Sequence, residues 1–247
     1  MLFVTGDCHM DYSRFSSNNF PDQKELSKDD YVLICGDFGL WEKSLRQQYE
    51  LMKLNRRNFT TLFVDGNHEN FDLLESFPVK DWHGGRVHEI LPGILHLMRG
   101  EIYDICGKKC FVFGGANSHD IQDGILENDE NLTENIKNLI SKDKRLYRIN
   151  HVSWWAREMP SASEMKYAQE NLSKYDWKVD YIFSHEGPAS AVKELKGTDA
   201  GYDALRVYLE FLKQKISYSE WYFGHHHVNA DLSDHTHVLY KDIVKLF

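Results

Sequence analysis

"LFVDGNHE", residues 62–69, joins an apolar run, Leu62–Val64, to Gly66 and then to Asn67, His68 and Glu69. A short run with β-branched or aromatic character reads as a buried strand, and the abrupt change to polar side chains marks its carboxyl end. Four other stretches repeat the arrangement. Leu2–Val4 runs into Asp7 and His9, Tyr31–Cys35 into Asp37, Tyr181–Phe183 into His185, and Trp221–Phe223 into His225 and His227. In open α/β sheets ligands bind just beyond the carboxyl ends of the strands, so five neighbouring strands aim these groups into one crevice. Gly6, Gly36, Gly66 and Gly224 precede the polar group in four of the five cases. Glycine permits the tight exit from the strand and lets backbone pass close to a bound ion.

Helical stretches alternate with these strands in the first half, which gives an α/β fold class. Residues 201–216 place Leu205, Tyr208, Leu209, Leu212 and Ile216 on one helical face. Ser161 and Glu164 form a capping box after Pro160. Residues 84–116 read instead as successive strands with a tight turn at Gly107–Lys109, and residues 228–247 also read as strands. The sheet is therefore expected to be mixed. With 247 residues and no Pro/Gly/Ser-rich linker, one domain spanning 1–247 is expected, with a helical insert or cap at about 118–178.

The net charge of −9 argues against a broad grip on extended nucleic acid, which needs a basic face. No apolar stretch approaches the roughly 20 residues that span a bilayer. The start "MLFVTGDCH" lacks the basic and long apolar regions of a signal peptide, and four scattered cysteines make no disulfide framework. A cytoplasmic location is the expectation.

The polar ends carry a consistent chemistry. Carboxylate, imidazole and amide oxygen together suit Mn²⁺, Fe²⁺ or Zn²⁺. Asp7, His9, Asp37, Asn67, His185, His225 and His227 are too many for one tetrahedral zinc and fit two ions sharing a carboxylate. Two such ions, two aspartates and a bridging hydroxide sum to roughly +1, which attracts a phosphate even in an acidic chain. In an extended segment residues two apart share a side, so His225 and His227 face the crevice and His226 points elsewhere.

"GDCH", "GDFG", "GNHE", "SH" and "GHHH", in that order from residue 6 to residue 227, resemble the calcineurin-like metallophosphoesterase superfamily. The resemblance implies an αββα sandwich of mixed sheets flanked by helices, with a dinuclear centre at the sheet edge. It implies one divalent ion held by Asp7, His9, Asp37 and His227, and a second held by Asp37, Asn67, His185 and His225. His68 is then no ligand but the catalytic imidazole, stabilising the transition state or protonating the leaving oxygen. The nucleophile implied is a water shared by the two metals. The second block reads "GDFGLWEK" and lacks the second aspartate and the arginine that extend it in the Ser/Thr protein phosphatases. This points away from protein substrates and towards a phosphomonoesterase on a small or nucleotide-like phosphate ester. A phosphodiesterase or nuclease is the alternative within enzymes, and a non-catalytic binding scaffold is the alternative outside them. The sequence does not set the oligomeric state.

Other residues receive plainer readings. His235 and His237 lie on an ordinary strand face, Cys106 and Cys110 in a hairpin, and Cys8 and Cys35 are small buried residues. His119 and Asp120 sit at the crevice rim, Asp120 capping a loop. "LYRINHVSWWAREMP", residues 146–160, gathers aromatics and arginines. An inserted helical pair packing Trp154 and Trp155 against the sheet is preferred there over a substrate-selecting cap.

Overall fold

The computed structural model describes residues 1–198 and 203–247. Fifteen strands appear among them: β1 Leu2–Thr5, β2 Tyr31–Cys35, β3 Thr60–Val64, β4 Val79–Trp82, β5 Gly85–Leu91, β6 Ile94–Leu97, β7 Ile102–Ile105, β8 Lys108–Phe113, β9 Gly124–Leu126, β10 Tyr147–Ile149, β11 Tyr181–Ser184, β12 Glu220–Phe223, β13 Ala230–Leu232, β14 Thr236–Val238 and β15 Val244–Lys245. The helices are α1 Leu45–Asn55, α2 Phe71–Leu74, α3 Leu132–Ser141, α4 Ala162–Lys174, α5 Ala189–Lys196 and α6 Ala204–Lys215. One sheet has the order β15-β1-β2-β3-β6-β5-β4 and another β13-β14-β12-β11-β8-β7. Both are mixed, with parallel centres and antiparallel edges.

Strand periodicity explains the layering. Side chains alternate between faces, so each central strand serves two cores. Val4, Leu33 and Leu62 of the first sheet meet Cys110, Val112, Phe183 and Tyr222 of the second between the sheets. Their sequence neighbours Phe3, Val32, Ile34 and Phe63 face outward onto Leu51 and Leu54 of α1 and Phe71 of α2. On the far side Phe111, Ile182 and Trp221 pack against Leu172 of α4 and Leu205, Leu209 and Leu212 of α6. The result is helix, sheet, sheet, helix. The five site-bearing strands divide between the two sheets, three and two, rather than lining one.

Two local readings shift and a third holds. The hairpin between β7 and β8 turns at Cys106 and Gly107, one residue before the expected Gly107–Lys109, and Lys108 and Lys109 already belong to β8. Both turn residues have positive φ, +52° and +79°, the backbone of a two-residue type I′ hairpin. Helix α6 begins at Ala204, where Asp203 caps it by accepting from the Leu205 and Arg206 amides. Gly201 and Tyr202, assigned to this helix from sequence, lie outside the described residues. The capping box of Ser161 and Glu164 opens α4 as expected.

Residues 118–178 contain α3, the small parallel sheet of β9 and β10, and α4. Helix α4 contributes to the core, whereas α3 has no buried residue. Trp155 is buried beside Phe71, and its indole donates to Asp72 Oδ2 at 2.8 Å. His151 Nδ1 reaches the same oxygen at 2.8 Å, so two contacts fasten this segment to α2. Among the described residues no helix is long and apolar enough to cross a membrane.

Candidate metal centre

The carboxyl ends of β1, β2 and β3 meet those of β11 and β12 across the edge of the sandwich. Backbone geometry makes the meeting close. Gly36 has φ of +91°, and a Cβ there would lie 2.0 Å from the His185 ring. A Cβ on Gly66 would lie 2.0 Å from Asp37 Oδ1. Any side chain at either position would occupy the space of a donor.

Two groups of donor atoms result, one of Asp7, His9, Asp37 and His227, the other of Asp37, His185 and His225. Within each group the atoms lie within 4.8 Å of one another, and Asp37 belongs to both. His9 Nε2 is 3.6 Å from Asp37 Oδ2, and His227 Nε2 is 3.0 Å from Asp7 Oδ2. On the other side His185 Nε2 is 3.5 Å from Asp37 Oδ1. Asn67 joins this second group, its Oδ1 lying 3.3 Å from His185 Nε2 while its amide nitrogen donates to Ser118 Oγ.

Neighbouring groups fix the donors. His185 Nδ1 donates to the Cys35 carbonyl at 2.9 Å, which aims Nε2 at the cluster. Burial lowers the pKa of this ring, but Asp37 and Asp7 outweigh it and raise it to about 10, and a bound cation would displace that proton. Asp7 Oδ1 accepts from the His225 amide at 2.9 Å, and Asp37 Oδ1 accepts from the His68 amide at 2.8 Å. The Asp7 carbonyl also accepts from Arg14 Nη2 at 2.5 Å. Burial raises the Asp37 carboxyl, but His185, His68 and His9 outweigh it and hold the group well below the carboxylate range. Burial drives His225 well down, so its ring is neutral and able to ligate.

A divalent cation fits these residues. Asp7 Oδ2 is buried and makes no well-aligned hydrogen bond, although His227 Nε2 and His9 Nε2 stand 3.0 and 3.7 Å from it, an arrangement that a cation among the three would complete. The Nε2 atoms of His9 and His227 lie 2.9 Å apart, close enough for both to reach one cation. Nitrogen and oxygen donors together match borderline ions.

His225 and His227 reach this centre by a route other than extended backbone. Both have positive φ, +65° and +52°, and lie in the bend after β12. His226 turns away and meets Glu186 Oε1 at 2.9 Å.

His68 stands beside the donors. Its carbonyl accepts from the Trp41 indole at 2.8 Å, and its ring packs edge-on to His9 with centroids 5.3 Å apart. It lines a cavity of about 520 Å³ together with His9, Trp41, Asn67, Glu69, Arg148, Val152, Ser153 and Trp155. Burial and the nearby Asp37 push the Glu69 carboxyl up to about 8, although the Leu40 and Gly39 amides donate to it.

Three features of the site were not read from the sequence. His119 Nε2 lies 3.2 Å from His225 Nε2, closer than a rim position implies. Asp120 forms an ion pair with Arg148 rather than capping a loop. Burial raises the Asp120 carboxyl, but Arg148 and, further off, His68 outweigh it and hold it low. Glu186 is buried, accepting from His226 and from Arg206 Nε at 2.8 Å. A charged residue between His185 and a Gly-Pro pair was the one available signal for Glu186; the other two pairings depend on tertiary placement.

His235 is exposed, and His237 lies on β14 between Asp231 and Glu220. Cys8, Cys35, Cys106 and Cys110 are all free thiols. A family model described as calcineurin-like phosphoesterase matches residues 2–229 of the chain. No curated protein matches it.

Proposed function

The chain belongs to the calcineurin-like phosphoesterase family and is a hydrolase acting on phosphate esters, and from that premise we propose that it is a dinuclear phosphomonoesterase acting on a small or nucleotide-like substrate in the cytoplasm. The observation that carries this reading is the pair of donor groups sharing Asp37, with His68 and a cavity of small-molecule size beside them. Asp7, His9, Asp37 and His227 hold one ion in this reading, and Asp37, Asn67, His185 and His225 the other. When bound, two divalent ions, Mn, Fe or Zn, neutralise phosphate charge and lower the pKa of a water nucleophile.

The chain's own groups do the rest. Asp37 is held ionised and oriented by the His68 amide. His68 is fixed at its backbone by Asp37 and Trp41, so its ring is presented to the cavity and gives a proton to the departing ester oxygen. Trp41, Val152 and Trp155 supply an apolar wall against which an organic leaving group packs. The polypeptide forms one domain in this account, and residues in 118–178 that line the cavity act as its cap.

The test is turnover of p-nitrophenyl phosphate against bis-p-nitrophenyl phosphate by metal-stripped protein reloaded with Mn²⁺. Monoester turnover that dominates supports the reading, and diester turnover alone makes the protein a phosphodiesterase. His68→Ala should retain its metal and lose turnover by about 10²–10⁴-fold, the range for an acid–base group. Near-normal turnover in that variant contradicts the role given to His68.

A further inference from the structure

The second sequence block ends without an arginine, yet a guanidinium lies at the cavity. Arg148, on β10, lines the same cavity as His68, Asn67 and His9, although it lies outside all five site-bearing blocks. It pairs through Nη2 with Asp120, and its other nitrogens have no partner among the described residues. A guanidinium carries five donors in a planar fork, so one carboxylate contact leaves the remainder free for an anion. The Arg148 side chain keeps about a quarter of its surface exposed (24%), enough to meet a ligand and little enough to stay in place.

The position of this arginine is built rather than incidental. Asp120 follows Ser118, which donates to Glu158 Oε2 at 2.6 Å and accepts from the Asn67 amide at 3.2 Å. Arg148 is held from the other direction by the pairing of β10 with β9 and by the anchoring of His151 and Trp155 to Asp72. Both ends of the Asp120–Arg148 pair are thus tied to the elements that carry Asn67 and His68.

We propose that Arg148, oriented by Asp120, binds the phosphate group of the substrate beside the metal-donor cluster. The inference rests on the phosphomonoesterase reading and adds to it a chemical preference. A monoester phosphate is a dianion near neutral pH and a diester a monoanion, so a fixed guanidinium favours the former. The bidentate fork also makes lysine an incomplete replacement.

The experiment compares Mn²⁺-loaded wild type, Arg148→Ala, Arg148→Lys and Asp120→Asn. Four quantities are read: KM and kcat for p-nitrophenyl phosphate, the inhibition constant of inorganic phosphate, metal per chain, and Tm. Arg148→Ala should raise KM and the phosphate inhibition constant by about tenfold to a hundredfold, the loss of a charge-assisted hydrogen bond. Arg148→Lys should recover part of this, and Asp120→Asn should show a smaller rise. Metal content and Tm should stay at wild-type values in all three. Unchanged constants in Arg148→Ala overturn the inference, as does a rise that comes only with lost metal or a lower Tm. If wild type turns over no monoester, the phosphomonoesterase reading fails on its own. Direct calorimetry of inorganic phosphate binding to wild type and Arg148→Ala then still decides the role of Arg148.

Discussion

Gly36 shows at the scale of one residue how the chain places a donor. Its φ of +91° is a conformation that L side chains rarely adopt, and its missing Cβ is the space taken by the His185 ring. Gly36→Ala should therefore lose on two counts, backbone strain of about 1–2 kcal/mol and displacement of His185. Urea unfolding should show at least about 2 kcal/mol of destabilisation, with reduced metal content. A variant within about 0.5 kcal/mol of wild type and fully metallated contradicts this account. That Asp7, His9, Asp37, Asn67, His185, His225 and His227 come together was legible because each sits within a few residues of the apolar run that carries it. Glu186 and Arg148 were not, because what brings them to the site is contact between distant segments, and His119 was placed at the crevice rim without its contact to His225. His225 and His227 reach the donor groups by positive φ after β12, not by the extended alternation expected from sequence.

Among the elements, β3 carries the clearest tie between a strand and its surroundings. Asp65, just past its end, is buried and accepts from Arg99 Nε at 2.9 Å and Nη2 at 2.5 Å, with His96 Nε2 at 3.1 Å. Its carbonyl accepts from the Gly115 amide at 2.8 Å, just after β8 in the facing sheet. Burial raises the Asp65 carboxyl, but Arg99 and His96 outweigh it and hold the group well below the usual range. A carboxyl depressed in the folded state adds stability above its unfolded pKa, near 4, and that stability drains away as pH falls towards the folded value. Asp65→Asn should cost about 3–5 kcal/mol at neutral pH, because it removes the carboxylate that the buried Arg99 guanidinium bonds through two nitrogens. The gap to wild type should be flat above about pH 5 and narrow as pH drops below 4. Urea unfolding at pH 7, 5 and 3.5 reads this directly, and a gap that widens on acidification contradicts it.

The same scale separates the elements that could be read from those that could not. Strands β1, β2, β3, β11 and β12 were legible because almost every residue in them is buried, so continuous apolar runs mark them. Strand β4 is exposed at the sheet edge with Lys80 and Asp81 in it, and β9 and β10 are three residues each with none fully buried. Their pairing comes from neighbours rather than from their own composition. In 118–178, the helical pair expected from sequence separates into a core helix, α4, and a helix with no buried residue, α3.

For the molecule as a whole, the facing sheets were inferred from ordered motifs, because periodicity alone cannot assign strands to one sheet or two. The two-sheet arrangement has a functional consequence. Asp37, at the end of β2, becomes the meeting point of donors from both sheets, His9 from one and His185 and His225 from the other. In the dinuclear reading this residue joins two metal sites into one. The most direct measurement is metal per chain by mass spectrometry of Mn²⁺-reloaded wild type, Asp37→Asn, His9→Ala and His225→Ala. The account predicts about two ions in wild type, a loss at both positions in Asp37→Asn, and a loss of one ion in each histidine variant, on the two-metal stoichiometry. Two ions retained in Asp37→Asn, or one of them bound as tightly as in wild type, would contradict it.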